Sequence, residues 1–126
     1  MTSLLGIFNN KLVDFFEDLS ATFPEERDIK MAAEAIKGAK KINPRLVFDM
    51  FVENVKTPLE TFILGEDEDK IIEYARSVIN EKFNEVSPAI MIFDKHWGTM
   101  TQQNHRAIWN HLKVLVLLAD KVKDKY

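Results

Sequence analysis

Residues 101–123 read TQQNHRAIWNHLKVLVLLADKVK, and this stretch decides the fold. Ile108, Trp109, Leu112, Leu115, Ala119 and Val122 recur at three- and four-residue steps, the period of one helical face. From Val114 to Ala119 the segment is apolar on every side. A helix of that kind is normally enclosed, so the spacing predicts a central helix packed against the first one. Thr101 is its expected N-cap, and it is expected to run to about Lys123.

The first helix is expected from about Ser3 to Ala21. Leu5, Phe8, Leu12, Phe15 and Leu19 share a face, widened by Val13 and Phe16. Pro24 ends that pattern and is expected to open a second helix, with Glu25, Glu26 and Asp28 at its positive end. Ile29, Ala32, Ala33, Ile36 and Ala39 give it a small-residue face, and Gly38 is its expected stop. Asn43-Pro44 caps a third helix with Val47, Met50, Phe51 and Val55 inward. Thr57-Pro58-Leu59-Glu60 has the spacing of a capping box and predicts a new short start. Beyond Gly65, the acidic run opens a helix with Ile71, Ile72, Ala75, Val78, Ile79 and Phe83 inward. Ser87-Pro88 caps another, with Ile92, Phe93 and Trp97 inward and Gly98 at its end. The expected fold is an all-α irregular bundle of six or seven helices with a central apolar C-terminal helix, one domain over residues 1–126.

Composition agrees with that class. The 126 residues are 46% hydrophobic and 29% charged, with only 4 Gly and 4 Pro to break helices. Net charge is −3, whereas nucleic-acid binders usually carry a basic face. With 0 Cys there is no disulfide, thiolate metal site or cysteine nucleophile. No apolar run reaches the length of a membrane span, and Met1 to Phe8 lacks the charged start of a signal peptide. The expectation is a soluble, intracellular protein, with its compartment undistinguished.

Candidate sites are few. His96, His105 and His111 have no three- or four-residue spacing among them, so no helical metal pair forms, and they read as surface or cap residues. Glu66, Asp67, Glu68 and Asp69 fail the calcium-loop pattern, because Ile72 stands where its central Gly belongs. They read as a solvated helix start or, functionally, as an acidic docking patch for a basic partner. Lys37, Lys40, Lys41 and Arg45 form a basic edge at residues 37–45, able in principle to contact phosphate, with no aromatic interleaved to stack bases. Lys121, Lys123 and Lys125 sit where a helix C-terminus favours cations. Asp14, Glu17 and Asp18 read as exposed, and Trp97 and Trp109 as core anchors. No Gly-rich phosphate loop or nucleophile elbow is present, so no catalytic residue and no cofactor is assigned.

The run Phe8-Asn9-Asn10-Lys11-Leu12, then Asp18-Leu19 and Phe23-Pro24-Glu25, together with Asp67-Glu68-Asp69, Trp97, Thr101 and Ile108-Trp109 with Leu112, resembles small all-helical proteins encoded by large DNA viruses of algae and protists. The resemblance spans nearly the whole chain. It implies a viral source and an all-α fold, and brings no catalytic residues with it. The expected function is a non-enzymatic structural or protein-interaction component, with a viral or self protein as partner. The alternative is a nucleic-acid-associated protein using the basic edge; an enzyme comes third, with no reaction to name.

Overall fold

A computed structural model describes residues 3–81 and 87–125, with backbone alone at 78–81, 124 and 125. Seven α-helices and no strand occur among the described residues: α1 (Leu4–Thr22), α2 (Arg27–Ile42), α3 (Pro44–Phe51), α4 (Thr57–Leu64), α5 (Glu68–Glu81), α6 (Ser87–Lys95) and α7 (Gln102–Lys125). A π-helical turn, Val52–Lys56, joins α3 to α4, and a 3-10 turn, Trp97–Thr99, precedes α7. The inward placement expected of the Val78, Ile79 and Phe83 side chains, and the basic Lys125, fall outside what is described. Helix α1 packs on α2, α3 and α7; α4 packs on α5 and α7; α5 pairs with α6. The layout is an irregular all-α bundle.

Local caps start several helices. Ser3 accepts from the Gly6 amide at 2.9 Å, Asn43 from Leu46 at 3.3 Å, Asp67 from Lys70 at 3.3 Å and Thr101 from Asn104 at 3.1 Å. Each takes one of the four amides that a helix start leaves without an internal partner. The core is one cluster in which Phe8, Leu12, Phe15, Phe16 and Leu19 of α1 meet Leu112, Leu115, Val116, Ala119 and Val122 of α7. Phe8 sits edge-on to Phe48 at 5.3 Å and to Phe51 at 5.1 Å, joining α1 to α3.

Three breakers behave differently from expectation. Pro24 does not open α2. It lies in a turn closed by the Glu26 amide on the Phe23 carbonyl at 3.0 Å, and α2 begins at Arg27. The Glu26 carboxylate is held instead by Lys95 at 3.3 Å and His96 at 2.8 Å, which ties the turn to the end of α6. Gly38 does not stop α2, which continues to Ile42; the stop is Asn43, whose side chain begins the next helix. A Cβ added at Gly38 would meet nothing within 4 Å. An exposed interior glycine costs a helix about 0.5–1 kcal/mol relative to alanine, and no contact within this chain requires it.

Thr57 does not cap a new helix either. Phe51, Val52, Lys56 and Thr57 all have right-handed helical angles, so α3, the π turn and α4 form one continuous path. Pro58 has no amide to give, and in an α-helix its ring would press on the carbonyl four residues back, that of Asn54. The wider turn, with the Thr57 amide bonded to the Val52 carbonyl, accommodates the ring. Tyr74 Oη of α5 then donates to the Asn54 carbonyl at 3.1 Å, replacing the bond that Pro58 cannot make. Burial pushes the Tyr74 hydroxyl pKa above 10.0.

Helix α7 packs against α1 and carries its expected stripe inward, but its all-apolar section is not enclosed on every side. Val114 is 44% exposed and Leu117 51%. The enclosure expected for residues 114–119 fails because α1, α4, the π turn and the Phe93 and Trp97 rings cover the stripe side of α7 and leave Val114 and Leu117 exposed.

Glu66 is the single non-glycine residue with positive φ among those described, at 53°. It ends α4: the Gly65, Glu66 and Asp67 amides bond back to Thr61, Ile63 and Phe62, taking up carbonyls that the helix leaves open. The left-handed geometry favours glycine, while the Glu66 carboxylate bonds to Lys113 and Arg106 of α7. The two effects oppose each other and separate by mutation. Glu66→Ala keeps the strain and loses the ion contacts; Glu66→Gly loses both. Thermal melts should place Glu66→Ala a few degrees below Glu66→Gly, and the reverse order would show that the backbone is unstrained there.

Candidate interaction surface

The acidic run is largely absorbed by the fold. Glu66 is bonded to Lys113 and Arg106, and the Lys113 bond first, then that of Arg106, holds its pKa below 4.5. Asp67 caps α5. Glu68 accepts from Trp97 Nε1. Only Asp69 remains exposed with no partner among the described residues. The candidate docking patch therefore presents one unengaged carboxylate out of its four.

The basic edge is engaged in a similar way. Lys37 pairs with Glu17 at 2.5 Å and Glu34 at 3.6 Å, and the Glu17 contact above all raises its pKa beyond 10.5. Lys40 donates to Asn10 at 2.8 Å. Arg45 pairs with Asp49 at 3.2 Å and lies 5.1 Å from the centre of the Phe48 ring. Lys41 is exposed, with no partner among the described residues. Surface pairs of this kind contribute little stability, but each places a carboxylate or amide where a phosphate would have to bind.

All three histidines lie against an aromatic ring and face an oxygen acceptor, an arrangement that spacing along the chain did not signal. His96 stacks on Phe23 at 4.5 Å and donates Nε2–H to Glu26. His105 stacks on Trp97 at 3.9 Å and donates to the Trp97 carbonyl at 2.6 Å. His111 lies 5.1 Å from Phe15 and 2.8 Å from Asp18. The His96 bond above all, with Lys95, holds the Glu26 pKa below 4.5. Trp97 and Trp109 are buried together, edge-on at 5.2 Å, with Phe93 against both. No group of three metal-ligating side chains converges among the described residues. No helix among them is long and apolar enough to cross a membrane.

A groove runs between α1 and α7. Phe15, Leu19 and Ile108 line it, the His111–Asp18 pair lies at its edge, and its volume is about 40 Å3. That is below the roughly 300–1,000 Å3 of typical ligand pockets. It continues past His111 into a shallower depression bordered by Asp14, Lys11 and Val114. A second exposed apolar set lies on the far side of α2 and at the start of α3: Met31, Ile42 and Leu46.

No protein-family model, curated protein or solved structure matches this chain. Its geometry defines it as an all-α bundle with exposed apolar helix faces.

Proposed function

We propose that this bundle is a non-catalytic protein-interaction component, and that its outward face on α7, with the adjoining α1–α7 groove, binds a partner protein. The observation that carries this reading is the pair Val114 and Leu117. They lie three residues apart on a helix whose other side is core, both are roughly half exposed, and Val114 borders the depression that continues the groove. Apolar side chains in such a row, rimmed by polar groups, are the usual mark of a contact site. Asp14 and Asp18 against the single Lys11 give the rim an acidic edge, so the partner that fits presents apolar side chains flanked by basic ones. The resemblance to helical proteins of large DNA viruses supports a virion component, or a factor engaging viral or host machinery, as the setting. The nucleic-acid alternative has less support, because Lys37, Lys40 and Arg45 are already engaged by the chain's own side chains.

The double variant Val114→Glu/Leu117→Glu leaves the buried stripe of α7 intact and should retain the helical circular dichroism signal. Affinity capture from infected or native cells, compared with the parent protein by mass spectrometry, should lose the specific partners. An unchanged set of captured proteins from a folded variant would remove this surface from the account.

A further inference from the structure

The outward face of α2 has a pattern that neither the core nor the α7 site uses. Met31, Ala35, Gly38 and Ile42 are all exposed, at steps of four, three and four residues. Met31 is 68% exposed and Ile42 88%, the two highest values among the large apolar side chains described. This is the spacing of the seam residues in a coiled coil, and eleven residues of helix span about 16 Å. The two central positions are small, and the glycine has no packing reason within the chain. Small residues at the middle of a seam let two helix backbones approach closely.

We infer that this seam is the contact of an antiparallel dimer between two copies of the chain. The pattern is self-complementary. With Met31 opposite Ile42 of the second copy, Ala35 falls opposite Gly38, and the same pairs recur across the two-fold axis. The flanking charges choose the orientation. Glu34 and Lys41 occupy the same flank, seven residues apart. In the antiparallel arrangement that flank faces itself, so Glu34 of one copy lies within about 3 Å, along the axis, of Lys41 of the other. The two-fold axis makes this pair twice, once at each end of the seam. A parallel pairing would set them against Ala32 and Ala39, which carry no charge. Lys41 is also the basic side chain of this edge with no partner of its own. The second copy accounts together for the exposed Met31 and Ile42, the interior glycine and the unpaired lysine. One helix pair of this length lies at the low end of specific interfaces, below about 1,200 Å2, so the dimer forms in the micromolar range or weaker.

Sedimentation equilibrium of the full chain from micromolar to millimolar concentration tests this. A monomer–dimer equilibrium is expected. Gly38→Leu has open space in the monomer and should not lower its Tm, yet should weaken dimerisation at least tenfold by holding the backbones apart. Glu34→Lys should also weaken it, and adding Lys41→Glu should restore most of the loss. A chain that stays monomeric throughout overturns the inference, as does a Gly38→Leu protein that dimerises like the parent. Val114→Glu/Leu117→Glu should leave the dimer intact; its loss there would move the contact to α7 and overturn the α2 assignment. Partner capture at α7 is read separately, so either proposal can fail alone.

Discussion

Replacing Phe8 by alanine should cost the fold about 3–5 kcal/mol, the usual range for removing a buried aromatic ring. Phe8 is fully buried and is the one ring of α1 set edge-on to both Phe48 and Phe51 of α3. These contacts link parts of the chain forty residues apart, so the cavity left by alanine lies between helices and cannot close by shifting a side chain within one of them. Edge-on aromatic pairs add to the loss beyond the area buried. A domain of this size has about 5–15 kcal/mol in total. The variant should therefore melt roughly 10 °C or more below the parent. Phe8→Leu, which refills most of the volume, should lose much less, about 1–1.5 kcal/mol. Urea titration with an unchanged slope checks both. A loss under about 1 kcal/mol for alanine would mean that α1 and α3 are not joined through this ring.

The helices were legible where the determinants are local. Ser3, Asn43, Asp67 and Thr101 accept amide hydrogen bonds three residues on, and a three-residue relation is visible in the sequence. The stripes of α1 and α7 were legible because burial on one face imposes a period. Pro24, Gly38 and Pro58 were misread because each is a breaker whose effect depends on what surrounds it. Tyr74 arrives from another helix to satisfy the carbonyl that Pro58 leaves open, and nothing near Pro58 announces that. The fate of the charges was still less legible. Asp18 and His111 are 93 residues apart, and Glu26 and His96 are 70. An acidic run suits both a helix start and a docking patch, and only the position of α7 decides that Glu66 meets Lys113 and Arg106. The exposure of Val114 and Leu117 was hidden for the same reason. Periodicity gives the faces of a helix, but the number of neighbours around it is a property of the whole bundle.

Lys56→Glu should be the most disruptive change of charge, costing about 3 kcal/mol or more at neutral pH. Lys56, in the π turn, is only 6% exposed. Its Nζ lies 2.8 Å from Asp120 of α7 and 2.9 Å from Glu60 of α4, so one cation joins three segments. The Asp120 bond above all raises the Lys56 pKa beyond 10.5, and the Lys56 bond lowers that of Asp120 below 3.8. The Lys56 contribution is thus fully present below pH 10.5 and lost as pH rises through the raised value. The Asp120 contribution is present above pH 3.8 and lost as pH falls through the lowered one. Lys56→Met keeps the packed stem and leaves two carboxylates that already reach water, so its cost should be about 1 kcal/mol. Lys56→Glu instead buries a third carboxylate beside two others. Desolvation and like charge both raise the pKa of the introduced group in the folded state. Its penalty is then full above that raised value and fades as pH falls towards about 4.3, the ordinary glutamate value, where the group is protonated on folding at little cost. Urea melts between pH 7 and pH 4 should show the gap between Lys56→Glu and the parent narrowing steadily, while the gap for Lys56→Met changes little. A gap for Lys56→Glu that stays constant with pH would mean that the loss is steric, and that the three charges do not meet as the geometry places them.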